Sequence, residues 1–258
     1  MHLARAIEFD EFGRLILTDG IAFGPPLAPI CPTGLQAGDV LVWYSSNADW
    51  KTKAIQEFSQ GPFSHVGIYV GNGCSVDAGP AGVNLVPISD LVANFGYGWV
   101  FRKSSMTPQQ QLDIVTAAQG NLGRAYAWMD AIALPARRRA FYADMTRMKR
   151  WNWMAILGRG LIAWRKRWPP SPKKTFCSRM VIEAFAAIDH FPPEHEIACT
   201  HTPFDMAAET FFEPVGWLCN STPPDWHPFD PYSPKPVTQR MWGLSPMRIW
   251  FAKKNVSA

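Results

Sequence analysis

The sequence predicts an α+β fold, with a small antiparallel sheet packed against a helix that opens at a cysteine. Two observations carry this. Phe63 to Gly79, FSHVGIYVGNGCSVDAG, reads as two alternating strands joined at Gly-Asn-Gly. After Cys177, the residues Met180, Val181, Ala184, Phe185 and Ile188 recur at helical spacing.

In chain order, residues 1–34 contain Gly24-Pro25-Pro26-Leu27-Ala28-Pro29 and Pro32 and read as an extended arm. Val40 to Tyr44 (VLVWY) is a continuous apolar strand of the kind that is buried. Ala54, Ile55 and Phe58 suggest a short helix over 51–60, ended by Gly61-Pro62. The two strands of the Phe63–Gly79 stretch follow, then strands over Val83–Ile88 and Trp99–Lys103. Thr107-Pro108-Gln109-Gln110 has the signature of a helix start, with Pro in the first turn and Gln three after the cap; the helix should run to about Gln119. A second helical pattern covers Ala125 to Leu134. After the cysteine helix come a short helix near Phe204–Thr210, a strand near Pro214–Leu218, a proline-rich stretch over 220–236 and a last edge strand at Met247–Lys253.

Register decides whether His65 and Asp77, twelve residues apart, can cooperate, because successive strand side chains point to opposite faces. A plain two-residue turn would separate them. A three-residue loop Gly71-Asn72-Gly73 instead pairs Val70 with Cys74 and Gly67 with Asp77. Val66, Ile68, Val70, Val76 and Ala78 then face a core, while His65, Gly67, Tyr69, Ser75 and Asp77 form a polar face. An imidazole held by a carboxylate is half of a nucleophilic apparatus. Cys177 supplies the other half. It sits at a helix N-terminus after Lys173 and Lys174, where amides and dipole favour thiolate, and the backbone amides of Cys177 and Ser178 can form an oxyanion hole. Ser178 is the weaker nucleophile of the two.

SHVGIYVGNG, an acidic residue twelve after the histidine, and FCSRMV opening a helix together resemble the circularly permuted NlpC/P60 (papain-like) superfamily, with its YiiX-like and lecithin:retinol acyltransferase-like members. Gly38-Asp39-Val40, Gly123-Arg124-Ala125-Tyr126 and Thr202-Pro203-Phe204-Asp205 extend the resemblance over roughly Leu35 to Leu218. It implies a permuted papain-like fold with Cys177 as nucleophile, His65 as base and Asp77 as orienting residue, and no metal or organic cofactor. Many relatives carry Glu, His or Gln in the third place. The domains expected are an arm at 1–34, a catalytic domain at 35–219 with a helical insertion at 130–174, and an extension at 220–258.

That insertion is the compositional outlier. Twelve basic residues lie between Asp130 and Lys174, Arg137-Arg138-Arg139 among them, opposed only by Asp130 and Asp144. Trp151, Met154, Leu157, Leu161, Trp164 and Trp168 recur at spacings of 3, 3, 4, 3 and 4. An apolar, Trp-rich stripe flanked by cations suits a helix lying in a membrane interface, with Trp151, Trp153, Trp164, Trp168, Arg165, Lys166 and Arg167 as contacts. It suits equally a helix packed on the catalytic domain with a solvated basic face, where Arg137-Arg138-Arg139 would also lie. No recognised nucleic-acid motif accompanies the charge.

The remaining signals bound the function. Five cysteines without a CxxC pair in a chain of this length argue against a disulfide framework, and reduced thiols are expected. His195, Cys199 and His201 with Glu194 or Glu196 match no standard zinc spacing. No apolar signal region opens the chain and no run of about 18 apolar residues crosses it, so a cytoplasmic protein is expected, with peripheral membrane association and signal-independent export compatible. The expected activity is acyl transfer through a thioester. Membrane phospholipid esters are the leading substrate class, peptide amides such as those of peptidoglycan the alternative, and a non-catalytic membrane-binding module the third reading. A toxin or effector role, with an inhibitor or immunity protein as partner, is compatible with the first.

Overall fold

The computed structural model describes residues 27–45, 61–145, 153–167, 171–189, 200–208, 212–220, 224–227, 230, 232 and 233, with short stretches over 2–23 and 52–56. Its centre is a six-stranded sheet. The strands are β5 (Val40–Tyr44), β6 (His65–Gly71), β7 (Cys74–Gly79), β8 (Gly82–Pro87), β9 (Tyr97–Lys103) and β12 (Phe212–Leu218), in the order β12-β9-β5-β6-β7-β8 with every pairing antiparallel.

The β6–β7 hairpin keeps the expected Gly67–Asp77 pairing by a different route. Asn72 and Gly73 form a two-residue turn with φ of 53° and 70°, as an Asn-Gly turn between right-twisted strands requires. Gly71, not Val70, pairs with Cys74, and the register shifts between Tyr69 and Gly71. A bulge inside β6, with Gly71 at φ 93°, absorbs the extra residue that the sequence assigned to the loop.

Both faces of the sheet are covered. On one, Val66, Ile68, Val76 and Ala78 join the buried face of helix α5 (Cys177–Ala186), whose Met180, Val181, Ala184 and Phe185 are fully buried, and Ile114 and Ala118 of α2 (Pro108–Gln119). Each large side chain so buried contributes about 1.5–3 kcal/mol. α2 begins as expected: Thr107 and Gln110 exchange both bonds of a capping box. The other face, expected to be polar, holds a second core of Leu41, Trp43, Tyr69 and Val100. The strand expected to reach Ile88 stops at Pro87, and α1 (Ile88–Asn94) lays Ile88 and Leu91 onto that face. Asp39 is buried at the start of β5, where it accepts 2.7 Å bonds from both Nε and Nη2 of Arg102 on β9.

The arm carries four short strands, β1 (His2–Leu3), β2 (Ala6–Phe9), β3 (Leu15–Thr18) and β4 (Ala22–Phe23), paired β1–β4 and β2–β3. Its end joins the sheet edge, with Ile30 N donating to Trp217 O at 2.8 Å. The proline-rich stretch contributes to the core as well. Trp226 stacks on Trp99, and buried Asp230 accepts from Tyr97 Oη at 2.6 Å and Trp99 Nε1 at 2.8 Å.

The insertion folds as two packed helices, α3 (Trp128–Met145) and α4 (Trp153–Arg167). Gly158 makes their close approach possible, because a Cβ there would lie 1.9 Å from the Ala136 carbonyl oxygen. Arg137 and Arg138 are buried rather than solvated. Arg137 Nη2 donates to Asp130 at 2.9 Å, and Arg138 binds Asp205 of α6 (Pro203–Ala208) through Nε and Nη2 at 2.6–3.0 Å. Arg138 thus fastens α3 to α6, while Arg137 ties α3 to its own first turn. Burial pushes the Asp205 carboxyl upward, and Arg138 reverses this, leaving it below its ordinary range. No helix among the described residues is long and apolar enough to cross a membrane. The expected 51–60 helix lies largely outside the described residues, and the Met247–Lys253 strand lies wholly outside them.

Candidate active site

His65 opens β6 at the end of the sheet where β7 finishes and β8 starts. Asp77 faces it diagonally, and the His65 Nε2 to Asp77 Oδ1 distance is 2.6 Å. Gly67 makes this contact possible. It pairs directly with Asp77, and a Cβ on it would lie 2.4 Å from Asp77 Oδ1 and 2.7 Å from Ser75 Oγ. The carboxylate therefore occupies the space over a bare glycine. A glycine inside an otherwise β-branched strand was the available signal.

Cys177 reaches the same place from a different part of the chain. The short parallel pair β10 (Ala125–Tyr126) and β11 (Lys174–Thr175) delivers it, with Ala127 N donating to Thr175 O at 2.8 Å. Val83 N donates to Arg124 O at 2.9 Å and so ties this pair to β8. Phe176 then stands as an extended N-cap with no side-chain acceptor, so the first-turn amides of α5, including those of Cys177 and Ser178, are left for another partner. The Ser178 hydroxyl points away, donating to the His201 carbonyl at 2.5 Å inside the core. That geometry makes Ser178 a helix fastener rather than a nucleophile.

Burial opposes charge on His65, but hydrogen bonds to Asp77 and Cys177 and their negative charges outweigh it and push the imidazole up to about 10. With Nε2 engaged by Asp77, Nδ1 is the nitrogen left for Cys177. Tyr126 also stands close to the thiol: burial, then the charge on Cys177, push its phenol above its ordinary range and keep it protonated. The constellation can therefore supply a sulfur nucleophile, a proton carrier fixed by a carboxylate, and amides for an oxyanion.

Of the interface residues expected on the insertion, Trp164 is 53% exposed. Trp153, Arg165, Lys166 and Arg167 lie in α4, while Trp151 and Trp168 fall outside the described residues. Leu157, expected on the same stripe, is exposed, and Gly158 instead faces α3. A second apolar group lies closer to the cysteine. Trp128 packs edge-on against Tyr126 with centroids 4.8 Å apart, and beyond it Met129 and Ile132 are 78% and 70% exposed. The spacing i, i+1, i+4 was legible, but without the boundary at Ala127 it reads as an ordinary core stripe.

His195, Cys199, Glu194 and Glu196 lie outside the described residues, and His201 is buried beside Thr200. Among the described residues no three His, Cys, Asp or Glu side chains gather into a metal-binding group. Cys31, Cys74 and Cys177 are free thiols.

No protein-family model matches the chain. It is 26% identical over 160 residues to the probable lipoprotein peptidase YaeF of Escherichia coli K12, an alignment covering 60% of this chain and 57% of YaeF. A crystal structure of the metalloprotein YiiX from Escherichia coli O157:H7 overlaps it with 19% identity and a TM-score of 0.38, over 58% of this chain and 64% of that one. The likeness to YaeF, named as a probable peptidase, agrees with the hydrolase resemblance that the histidine and cysteine motifs carry, and the chain spans just over half of YaeF's length.

Proposed function

We propose that the protein is a cysteine acyl hydrolase that cleaves acyl esters of membrane lipids. In this reading the Cys177 thiolate attacks the ester carbonyl, and the first-turn amides of Cys177 and Ser178 hold the oxyanion. His65, protonated at Nδ1 and held through Nε2 by Asp77, gives its proton to the departing alcohol as the C–O bond breaks. A thioester remains on Cys177. Water then attacks it, returning its proton to His65, and the fatty acid leaves as the thiolate is restored.

The observation that carries the lipid reading is the apolar apron that starts at the site. Tyr126, beside Cys177, touches Trp128, and Met129 and Ile132 continue outward on the same helix. On α4, Ile156, Leu157 and Trp164 are exposed alongside a sequence rich in Arg and Lys. Exposed apolar groups flanked by cations suit an anionic bilayer. A peptide amidase is the second reading, favoured by the likeness to a protein named as a probable lipoprotein peptidase.

The double substitution Met129→Gln with Ile132→Gln tests the lipid reading. Binding to anionic phospholipid vesicles should weaken about tenfold or more and become undetectable in high salt, while hydrolysis of a short soluble ester continues at its former rate. Unchanged vesicle binding, or equal loss of both activities, would contradict the lipid reading.

A further inference from the structure

The imidazole of His65 lies flat on the ring of Phe95, with centroids 5.5 Å apart and planes only 5° from parallel. Phe95 is in turn stacked on Trp43, at 5.4 Å and 27°. Trp43 is the residue that pairs directly with His65 across β5 and β6, so the three rings form one tower rooted in two adjacent strands. Phe95 closes α1 by donating its amide to Leu91 O at 2.9 Å, and the next amide, Gly96 N, donates to Tyr44 O at 2.9 Å. Trp43 is fully buried and fills the space that Gly98 leaves, since a Cβ on Gly98 would meet its ring at 2.4 Å.

Asp77 alone does not fix the histidine. A single hydrogen bond at Nε2 leaves the ring free to tip about the Nε2–Oδ1 line, and that motion swings Nδ1 away from Cys177. A flat aromatic surface parallel to the imidazole removes the motion. Its π face, within about 6 Å of the imidazole, also favours the protonated ring. We infer that Phe95 is the positioning residue of the His65–Cys177 pair, holding the imidazole plane so that Nδ1 stays on the sulfur. This rests on the reading of His65 as the proton carrier for Cys177.

The test follows alkylation of Cys177 by iodoacetamide across pH, read by mass spectrometry of the peptide containing Cys177, with exposed Cys31 as internal control. No substrate is needed. In the wild-type chain Cys177 should react faster at pH 6 than in His65→Ala, which lacks the imidazole paired with it. Phe95→Leu should slow it about three- to tenfold at pH 6 and leave Cys31 unchanged, and Phe95→Tyr, which keeps the ring, should restore the rate to within about twofold. Phe95→Met, similar in bulk and without a ring, repeats the test should the Leu variant fail to fold. A wild-type pH profile in the non-aromatic variants, or equal slowing by Leu and Tyr, would overturn the assignment. His65→Ala separates the two claims: if it slows Cys177 while Phe95→Leu does not, only the role of Phe95 falls, and if it changes nothing, the underlying reading falls with it.

Discussion

The strand ends around His65 and the helical insertion treat apolar surface in opposite ways. At the strand ends around the site, apolar residues are buried, Asp77 is buried with them, and His65 alone of the pair is partly exposed, where a substrate can meet it. In the insertion, Arg137 and Arg138 are inside and Met129, Ile132 and Trp164 are outside. A chain gains nothing for its own stability by that inversion, because buried cations cost desolvation and exposed methyl groups forgo burial. Arg138 does, however, tie α3 to Asp205 of α6. What the insertion holds outward is an apolar surface that begins at Cys177.

Three perturbations sharpen the contrast. The largest effect on folding should come from Arg138→Ala, which strands the buried Asp205 carboxylate; stability should fall by about 3–5 kcal/mol in urea unfolding. Ile132→Gln on the same helix should stay within about 0.5 kcal/mol. Similar losses from both would mean that the apolar face is covered in solution. Next is Asp77→Asn, which keeps the shape beside His65 but removes the charge that faces it. Ester turnover should fall on the order of 10²-fold or more while the chain remains folded; an unchanged rate would take Asp77 out of the site.

The smallest effects come from two histidines with opposite shifts. His65 is raised to about 10 despite its burial, by Asp77 and Cys177, whereas burial lowers His227 to about 4. A raised folded-state value means that the stability contributed by His65 is fully present below about pH 6.5, the unfolded value, and fades as pH climbs through about 10. For His227 the sign reverses: its contribution is full above about pH 6.5 and is lost as pH falls through about 4. Unfolding measured from pH 4 to 10 should show both losses. His65→Ala should flatten the alkaline side and His227→Phe the acid side; the reverse pattern would contradict these shifts.

Much of the β6–β7 hairpin was legible because strand parity is a strict rule. Once Gly67 was opposite Asp77, His65 had to share its face, whichever residue absorbed the extra position. The bulge at Gly71 was not legible, since a three-residue loop and a two-residue turn with a bulge give the same parity downstream. Helix α5 was legible from Met180, Val181, Ala184 and Phe185, and α2 from its Thr107–Gln110 capping box. α1 was missed because only Ile88 and Leu91 mark it, too few to show a period, and Phe95 was missed with it. The burial of Arg137 and Arg138 was hidden for another reason. Their partners are Asp130, seven residues away, and Asp205, sixty-seven residues away, and a run of three arginines otherwise reads as solvent-facing.

The most direct measurement is mass spectrometry of the products formed by wild type and Cys177→Ala with anionic phospholipid vesicles and, separately, with peptidoglycan fragments. Lysolipid and free fatty acid from the wild type alone, with the peptides intact, is the predicted result. Cleaved peptide with untouched lipid would contradict the lipid reading, and lipid cleavage surviving in Cys177→Ala would contradict the nucleophile itself.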